Sequence, residues 1–217
     1  MRIAEAARAA GREPGDIALL AVSKTFAAVE VRAAYAAGQK EFGENYVQEA
    51  LEKIAALSDL HLIWHFIGPI QSNKTRAIAE HFDWVHSVAR EKIALRLAEA
   101  RPPEREPLNI CLQVNVSGEA SKSGVAPDAV RALAEVVRAL PRLRLRGLMA
   151  IPEPGGDIAL QRRRCAGLRQ LLGQLNEAGF GLDTLSMGMS QDLEAAVMEG
   201  ATIVRIGTAI FGERKQA

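Results

Sequence analysis

A lysine follows the first strand-like segment of the chain, where an amine has chemical consequences. Residues 17 to 22 read Ile-Ala-Leu-Leu-Ala-Val, the pattern of a buried strand, and Lys24 comes two residues later. A buried ammonium costs several kcal/mol unless it is paired, deprotonated or used covalently. Lys24 is therefore a candidate for bonding to a carbonyl compound. The alternative is that it lies in solvent just beyond the strand.

Two clusters of small and hydroxyl-bearing residues near the C-terminus are typical of phosphate binding. The first is Ser186-Met187-Gly188-Met189-Ser190, just before a predicted helix, and the second is Gly207-Thr208. The N-terminus of a helix attracts anions through its free N–H groups and its positive dipole end. Ser190 and Asp192 would serve equally well as helix caps. Capping does not account for two such clusters on consecutive strands.

An arginine interrupts the last apolar segment. Arg205 lies between Val204 and Ile206, so its side chain needs acceptors if it points inward. An ion pair with Asp or Glu is one interpretation, and donation to a ligand is the other. An amine for an aldehyde, a donor for a ring nitrogen and a cradle for a phosphate are together the groups that hold pyridoxal 5′-phosphate.

These residues meet only if the strand ends converge. Strand-like runs alternate with longer runs of helical period, with Gly, Pro, Ser or Asn at most junctions. Eight such pairs predict an α/β protein with one (β/α)₈ barrel domain over residues 1–217, whose site lies at the carboxyl ends of the strands. A doubly wound open sheet is the alternative, but it would carry a glycine-rich loop where this chain has Lys24-Thr25-Phe26.

The predicted strands are 17–23, 41–43, 61–67, 84–87, 108–116, 143–150, 184–187 and 202–206. The predicted helices are 3–10, 29–37, 46–57, 74–81, 91–100, 127–140, 158–178 and 193–199.

Composition excludes several classes of function. The chain has 27 basic and 26 acidic residues, which supply no field for nucleic acid or an anionic membrane, and no apolar run reaches the roughly 20 residues of a membrane span. Cys111 and Cys165 have neither disulfide nor metal spacing. His61 and His65 would lie about 13 Å apart on one strand, too far to share a metal. We expect a cytoplasmic protein without a metal.

Short motifs run in order along almost the whole chain. They include Ala-Val-Ser-Lys-Thr at 21–25, Phe-Gly-Glu-Asn-Tyr at 42–46, Trp-His-Phe-Ile-Gly-Pro at 64–69 and Arg-Ile-Gly-Thr at 205–208. In these motifs the chain closely resembles the pyridoxal phosphate homeostasis proteins, relatives of the barrel domain of alanine racemase. The resemblance implies a barrel of that kind without the racemases' second, β-rich domain.

The resemblance also implies roles for single residues. Lys24 would form a Schiff base with the cofactor, and Arg205 would face the pyridine nitrogen and keep it unprotonated, which weakens the ring as an electron sink. No residue is assigned a catalytic role. The other implied cofactor-binding residues are Asn45, Ile67, Ser87 and Met149 around the ring, and Ser186, Met187, Gly188, Met189, Ser190, Gly207 and Thr208 in the two phosphate clusters.

The sequence departs from the family pattern in three places. Gly118 stands where an acidic or amide residue is expected, Ala89 stands where Asp is common, and the first helix is short. These departures affect the expected loop details and leave the expected cofactor site unchanged.

The expected absence of a second domain bears on the expected function. Racemases of this fold use a second acid/base group, a tyrosine on that domain, whereas Tyr35 and Tyr46 fall in predicted helices. We therefore expect a monomer that holds, buffers or delivers pyridoxal phosphate and maintains vitamin B6 homeostasis, with apo-enzymes as recipients. A slow amino-acid racemase or decarboxylase is the alternative. A third interpretation, an aldolase that uses Lys24 on a sugar phosphate, conflicts with Arg205 and with the resemblance.

Overall fold

The computed structural model describes residues 2–117, 123–151 and 157–213. Its strands are β1 (Ala18–Val22), β2 (Glu41–Glu44), β3 (Ile63–Phe66), β4 (Trp84–Val88), β5 (Leu108–Gln113), β6 (Leu143–Met149), β7 (Thr184–Ser186) and β8 (Ile203–Ile206). Each strand pairs in parallel with the next, and β8 pairs with β1 to close a barrel. The predicted (β/α)₈ barrel is confirmed, and the open-sheet alternative is wrong.

Helices follow the strands around the outside. They are α1 (Arg2–Ala9), α2 (Ala28–Ala36), α3 (Val47–Ala56), α4 (Thr75–His81), α5 (Glu91–Ala100), α6 (Val130–Ala139), α7 (Ile158–Glu177), α8 (Leu193–Met198) and α9 (Thr208–Phe211). None of the helices in the described ranges is long and apolar enough to cross a membrane.

Several predicted boundaries shift, and one helix was missed. Helix α9 follows β8 after Gly207, and no helix was predicted there. Tyr46 has extended backbone and precedes α3, so its predicted place inside that helix is wrong. The predicted helix at 127–140 begins as the 3₁₀ turn Pro127–Ala129, because proline fixes φ and suits a first helical turn. Gly118 lies outside the described residues.

The apolar side chains form two layers because successive strand residues point to opposite faces. On β1, Ala21 joins the large outer layer between the strands and the helices, whereas Leu20 faces inward. Inside the barrel, Leu20 packs with Ile67 and Ile203 in a separate small cluster. Cys111 and Cys165 are buried as packing residues, and burial raises the pKa of both thiols to about 12, so neither is a nucleophile near neutral pH.

A polar chain crosses the rest of the interior. His65 Nδ1 lies 2.9 Å from His86 Nε2, and His86 Nδ1 lies 2.8 Å from Ser186 Oγ. The second contact joins β4 to β7, which are not neighbours, so it spans the barrel. Burial lowers the pKa of His65 to about 3 and holds the pKa of His86 well below its usual value. Both imidazoles are therefore neutral at pH 7.

These two histidines should make the protein sensitive to acid. A histidine whose folded pKa is depressed contributes stability that is present above its unfolded pKa near 6.5 and is lost as pH falls toward the folded value. Between pH 7 and pH 5 we expect each to remove about 2 kcal/mol from the free energy of unfolding. Urea denaturation of the wild type at both pH values measures the loss.

His65→Gln should make that loss smaller by about one histidine's share. The control is His61→Gln, because His61 is exposed and precedes β3. An equal pH dependence in the wild type and in His65→Gln would contradict the assignment.

Candidate functional site

A cavity of about 260 Å³ opens at the carboxyl ends of the strands, where barrels of this architecture carry their sites. Its lining includes the basic residues Lys24 and Arg205 and the hydroxyl residues Ser190 and Thr208, all four of which were predicted from the sequence. The full lining is Val22, Lys24, Phe26, Asn45, Ile67, Ile151, Met189, Ser190, Arg205, Gly207 and Thr208. Eight of these eleven were predicted from the sequence.

Lys24 reaches the cavity from a tight turn after β1. The turn runs from Ser23 to Phe26 and is closed by a 3.1 Å hydrogen bond from Phe26 N to Ser23 O. Thr25 has φ 69°, a left-handed conformation that costs a residue with a side chain about 1–2 kcal/mol. Lys24 is half-buried and lines the cavity, in contrast to the alternative of a fully solvated strand-end lysine.

Arg205 supplies a buried cation in the same wall. Its Nη1 donates to Ser186 O at 2.6 Å and to Ser186 Oγ at 2.8 Å, and its Nη2 donates to Ala150 O at 2.8 Å. Burial lowers its pKa to about 10, so it stays charged at pH 7. These acceptors are carbonyl and hydroxyl oxygens. The interpretation of Arg205 as a direct ion pair with Asp or Glu is therefore not supported by these contacts.

The loop after β7 is shaped by a glycine and an aspartate. Gly188 has φ 98°, and a Cβ there would lie 2.7 Å from Ala196 Cβ, so a larger residue does not fit. Asp192 Oδ1 accepts from Met189 N at 2.7 Å and makes no capping bond to α8. The capping interpretation is therefore wrong for Asp192. Ser190 remains on the cavity surface, and its carbonyl accepts from Arg2 Nη2 at 3.0 Å.

Asn45 contributes an unsatisfied polar atom. Its Oδ1 is buried without a hydrogen-bond partner in the described part of the chain, and the residue lines the cavity. Gly68 packs against its backbone so closely that a Cβ would lie 2.2 Å from Asn45 O. Ser87 Oγ donates to Gly68 O at 2.5 Å, and this hydrogen bond holds Gly68 against the Asn45 backbone.

Five predicted residues do not belong to the cavity lining. Ser186 Oγ accepts from Arg205, and Ser87 Oγ donates to Gly68 O. Gly188 O accepts from Arg205 N at 2.9 Å. Met149 and Met187 are fully buried. A contact of any of the five with a ligand stays a prediction.

Sequence reasoning missed three apolar residues of the lining. Val22, Phe26 and Ile151 belong to it, and the Phe26 ring stacks on Phe211 of α9 with centroids 5.0 Å apart. Phe26 had a signal, since it lies two residues after Lys24, but a single loop aromatic is too common to indicate a site. Among the described residues, no group of three His, Cys, Asp or Glu side chains lies close enough to hold a metal.

Neither tyrosine reaches the site. Tyr46 is 55% exposed just before α3, Tyr35 lies on α2, and neither lines the cavity. Within the described lining, Lys24 and Arg205 are the ionisable groups.

The fold and the cavity define a class: a barrel with an amine, a buried guanidinium and a hydroxyl-rich loop at the strand ends. The family model of the alanine racemase N-terminal domain matches residues 2–215. This chain belongs to that family. The family resemblance found in the sequence is confirmed.

Individual relatives agree with this assignment. A pyridoxal phosphate homeostasis protein of Pseudomonas aeruginosa is 68% identical over 213 residues, covering 98% of this chain and 91% of the relative. PipY of Synechococcus elongatus, solved with PLP bound, is 41% identical with a TM-score of 0.85, covering 97% of this chain and all of PipY. An alanine racemase of Corynebacterium glutamicum, 19% identical with a TM-score of 0.73, shares the fold over 97% of this chain and 61% of its own.

Proposed function

We propose that this chain binds pyridoxal 5′-phosphate at the barrel mouth, holds it covalently through Lys24, and buffers or delivers it to maintain vitamin B6 homeostasis. One observation carries the proposal: Lys24, Arg205 and the Ser190 and Thr208 hydroxyls line a single cavity. The names of the relatives and the PLP-bound structure of PipY support it. The proposal includes a cytoplasmic monomer and apo-enzymes as recipients.

The residues present fit this cofactor. When bound, pyridoxal phosphate supplies an aldehyde that takes up an amine, a conjugated ring and a phosphate dianion. Lys24 is the amine, Ser190 and Thr208 offer hydroxyl donors, and Gly207 allows a close backbone approach. Asn45 Oδ1, which has no hydrogen-bond partner among the described residues, is an acceptor for a polar substituent of the ring.

Arg205 sets the electrostatics of the proposed site. Its charge persists at pH 7 and favours an anionic ligand, and a guanidinium facing the ring nitrogen would donate a hydrogen bond to it while keeping its own proton. Its position is fixed by hydrogen bonds to Ser186 and Ala150. The site is therefore suited to holding the cofactor in one orientation.

Covalent attachment is tested with Lys24→Ala. The wild type mixed with pyridoxal phosphate should show a visible band that borohydride removes, leaving a pyridoxyl group on the peptide that contains Lys24. Lys24→Ala should show neither, and Lys40→Ala, an exposed lysine before β2, should behave as the wild type. A Lys24→Ala protein with the wild-type spectrum and affinity would refute the attachment site.

Thr208→Val tests the phosphate cradle by removing one hydroxyl at nearly constant shape. A hydrogen bond to a charged group contributes about 1.5–3 kcal/mol, so affinity for pyridoxal phosphate should fall at least tenfold. Affinity for pyridoxal, which lacks the phosphate, should stay unchanged. Isothermal titration with both ligands measures the difference, and an equal loss for both would show that Thr208 does not contact the phosphate.

The carrier is distinguished from the slow racemase by prolonged incubation of the loaded protein with single amino acids. We expect unchanged chirality and mass, because Lys24 is the one group in the described lining suited to proton transfer and inversion needs a second. Activation of an added apo-enzyme should accompany this result. Rapid inversion of an amino acid by the wild type but not by Lys24→Ala would favour the racemase.

A further inference from the structure

A charged cluster behind the barrel wall holds both ends of the turn that carries Lys24. Lys53 Nζ donates to Ser23 O at 2.6 Å, to Glu44 Oε1 at 2.7 Å and to Glu49 Oε1 at 2.5 Å. Ser23 precedes Lys24, so the cluster fixes the turn on its N-terminal side.

Glu49 fixes the other side of the same turn. Its Oε1, the atom that Lys53 contacts, also accepts from Thr25 N at 2.6 Å. Thr25 is the residue in the left-handed conformation, with φ 69°. A conformation that is costly for threonine persists only where its surroundings hold it, and Glu49 makes the hydrogen bond to that backbone.

The cluster is protected from water. The Lys53 side chain is 5% exposed and the Glu44 side chain is fully buried, while Glu49 is 29% exposed at the edge. Ser23 Oγ donates to Glu44 Oε1 at 2.6 Å. Burial raises the pKa of Glu44, and the contacts with Lys53 and Ser23 oppose that shift. Buried charges of this kind hold a fixed geometry, because moving one leaves its partners uncompensated.

We propose that Glu49 and Lys53 are positioning residues that hold the strained Ser23–Phe26 turn so that the Lys24 amine is aimed into the cavity before the cofactor arrives. The inference rests on the proposed function. In attachment, Lys24 Nζ bonds to the aldehyde carbon, and both amine hydrogens leave with the aldehyde oxygen as water. Glu49 and Lys53 act on this reaction only through the turn.

Glu49→Ala tests the inference, because Glu49 is the most exposed member and its loss leaves the Lys53–Glu44 pair intact. We expect covalent labelling of Lys24, stopped by borohydride at short times and counted by peptide mass, to slow roughly tenfold. Glu49→Gln, which keeps an acceptor oxygen for Thr25 N, should retain most of the rate. Glu52→Ala, an exposed glutamate on α3, is the matched control.

A second change separates positioning from a general loss of structure. In Thr25→Gly/Glu49→Ala, glycine adopts positive φ without strain, so the turn no longer depends on Glu49 and the labelling rate should recover. Thermal unfolding of each variant checks that it is folded.

The possible outcomes are distinct. A slow Glu49→Ala rescued by Thr25→Gly supports the inference. Wild-type labelling by Glu49→Ala, or a slow rate that glycine does not rescue, overturns it and leaves the proposed function standing. A wild type that is never labelled at Lys24 overturns the proposed function itself.

Discussion

The buried charge of Arg205 constrains the strand ends around it. Its side chain donates to Ser186 at the end of β7 and to Ala150 just after β6, and its backbone N–H donates to Gly188. A buried cation that lost these acceptors would carry a large desolvation cost, so the three segments must keep their spacing. The loop of Gly188 therefore starts from a fixed point, and Ser190 reaches the cavity from it.

Two different polar systems support the same cavity. Inside the barrel, the chain from His65 through His86 to Ser186 is neutral and ends on Arg205. Outside the barrel, the cluster around Lys53 is charged and ends on the turn of Lys24. Strands β1 and β8 are neighbours, so both systems meet at one edge of the mouth. The turn that carries Lys24 and the guanidinium of Arg205 are thus both held by protein contacts at this edge.

The features that depend on local sequence pattern, the strands and the residues at their ends, could be predicted. Contacts between residues far apart in the sequence could not. The alternation of predicted strands with predicted helices indicated the barrel. The residues at the strand ends placed Lys24 and Arg205 at its mouth. The hydrogen bond between His86 and Ser186 joins residues 100 positions apart, so no pattern of neighbouring residues in the sequence could predict it.

Lys53 and Glu49 escaped for a different reason. They are four residues apart on α3, a spacing typical of an exposed ion pair on a helix. Only the packing of α3 against the barrel turns this pair inward. Asp192 had the position of a helix cap, but its carboxylate accepts a hydrogen bond from Met189 N in the preceding loop.

The described cavity lining contains few ionisable groups and a larger apolar surface. Lys24 and Arg205 are its charged members, and Val22, Phe26 and Ile151 give it an apolar wall. A polar group held in place before binding adds affinity because little ordering remains to be done when the ligand arrives. Rapid inversion of a carbon centre is favoured by a second acid or base on the opposite face, and Val22, Phe26 and Ile151 do not supply one. Rigid binding groups of this kind favour retention of a ligand in one orientation.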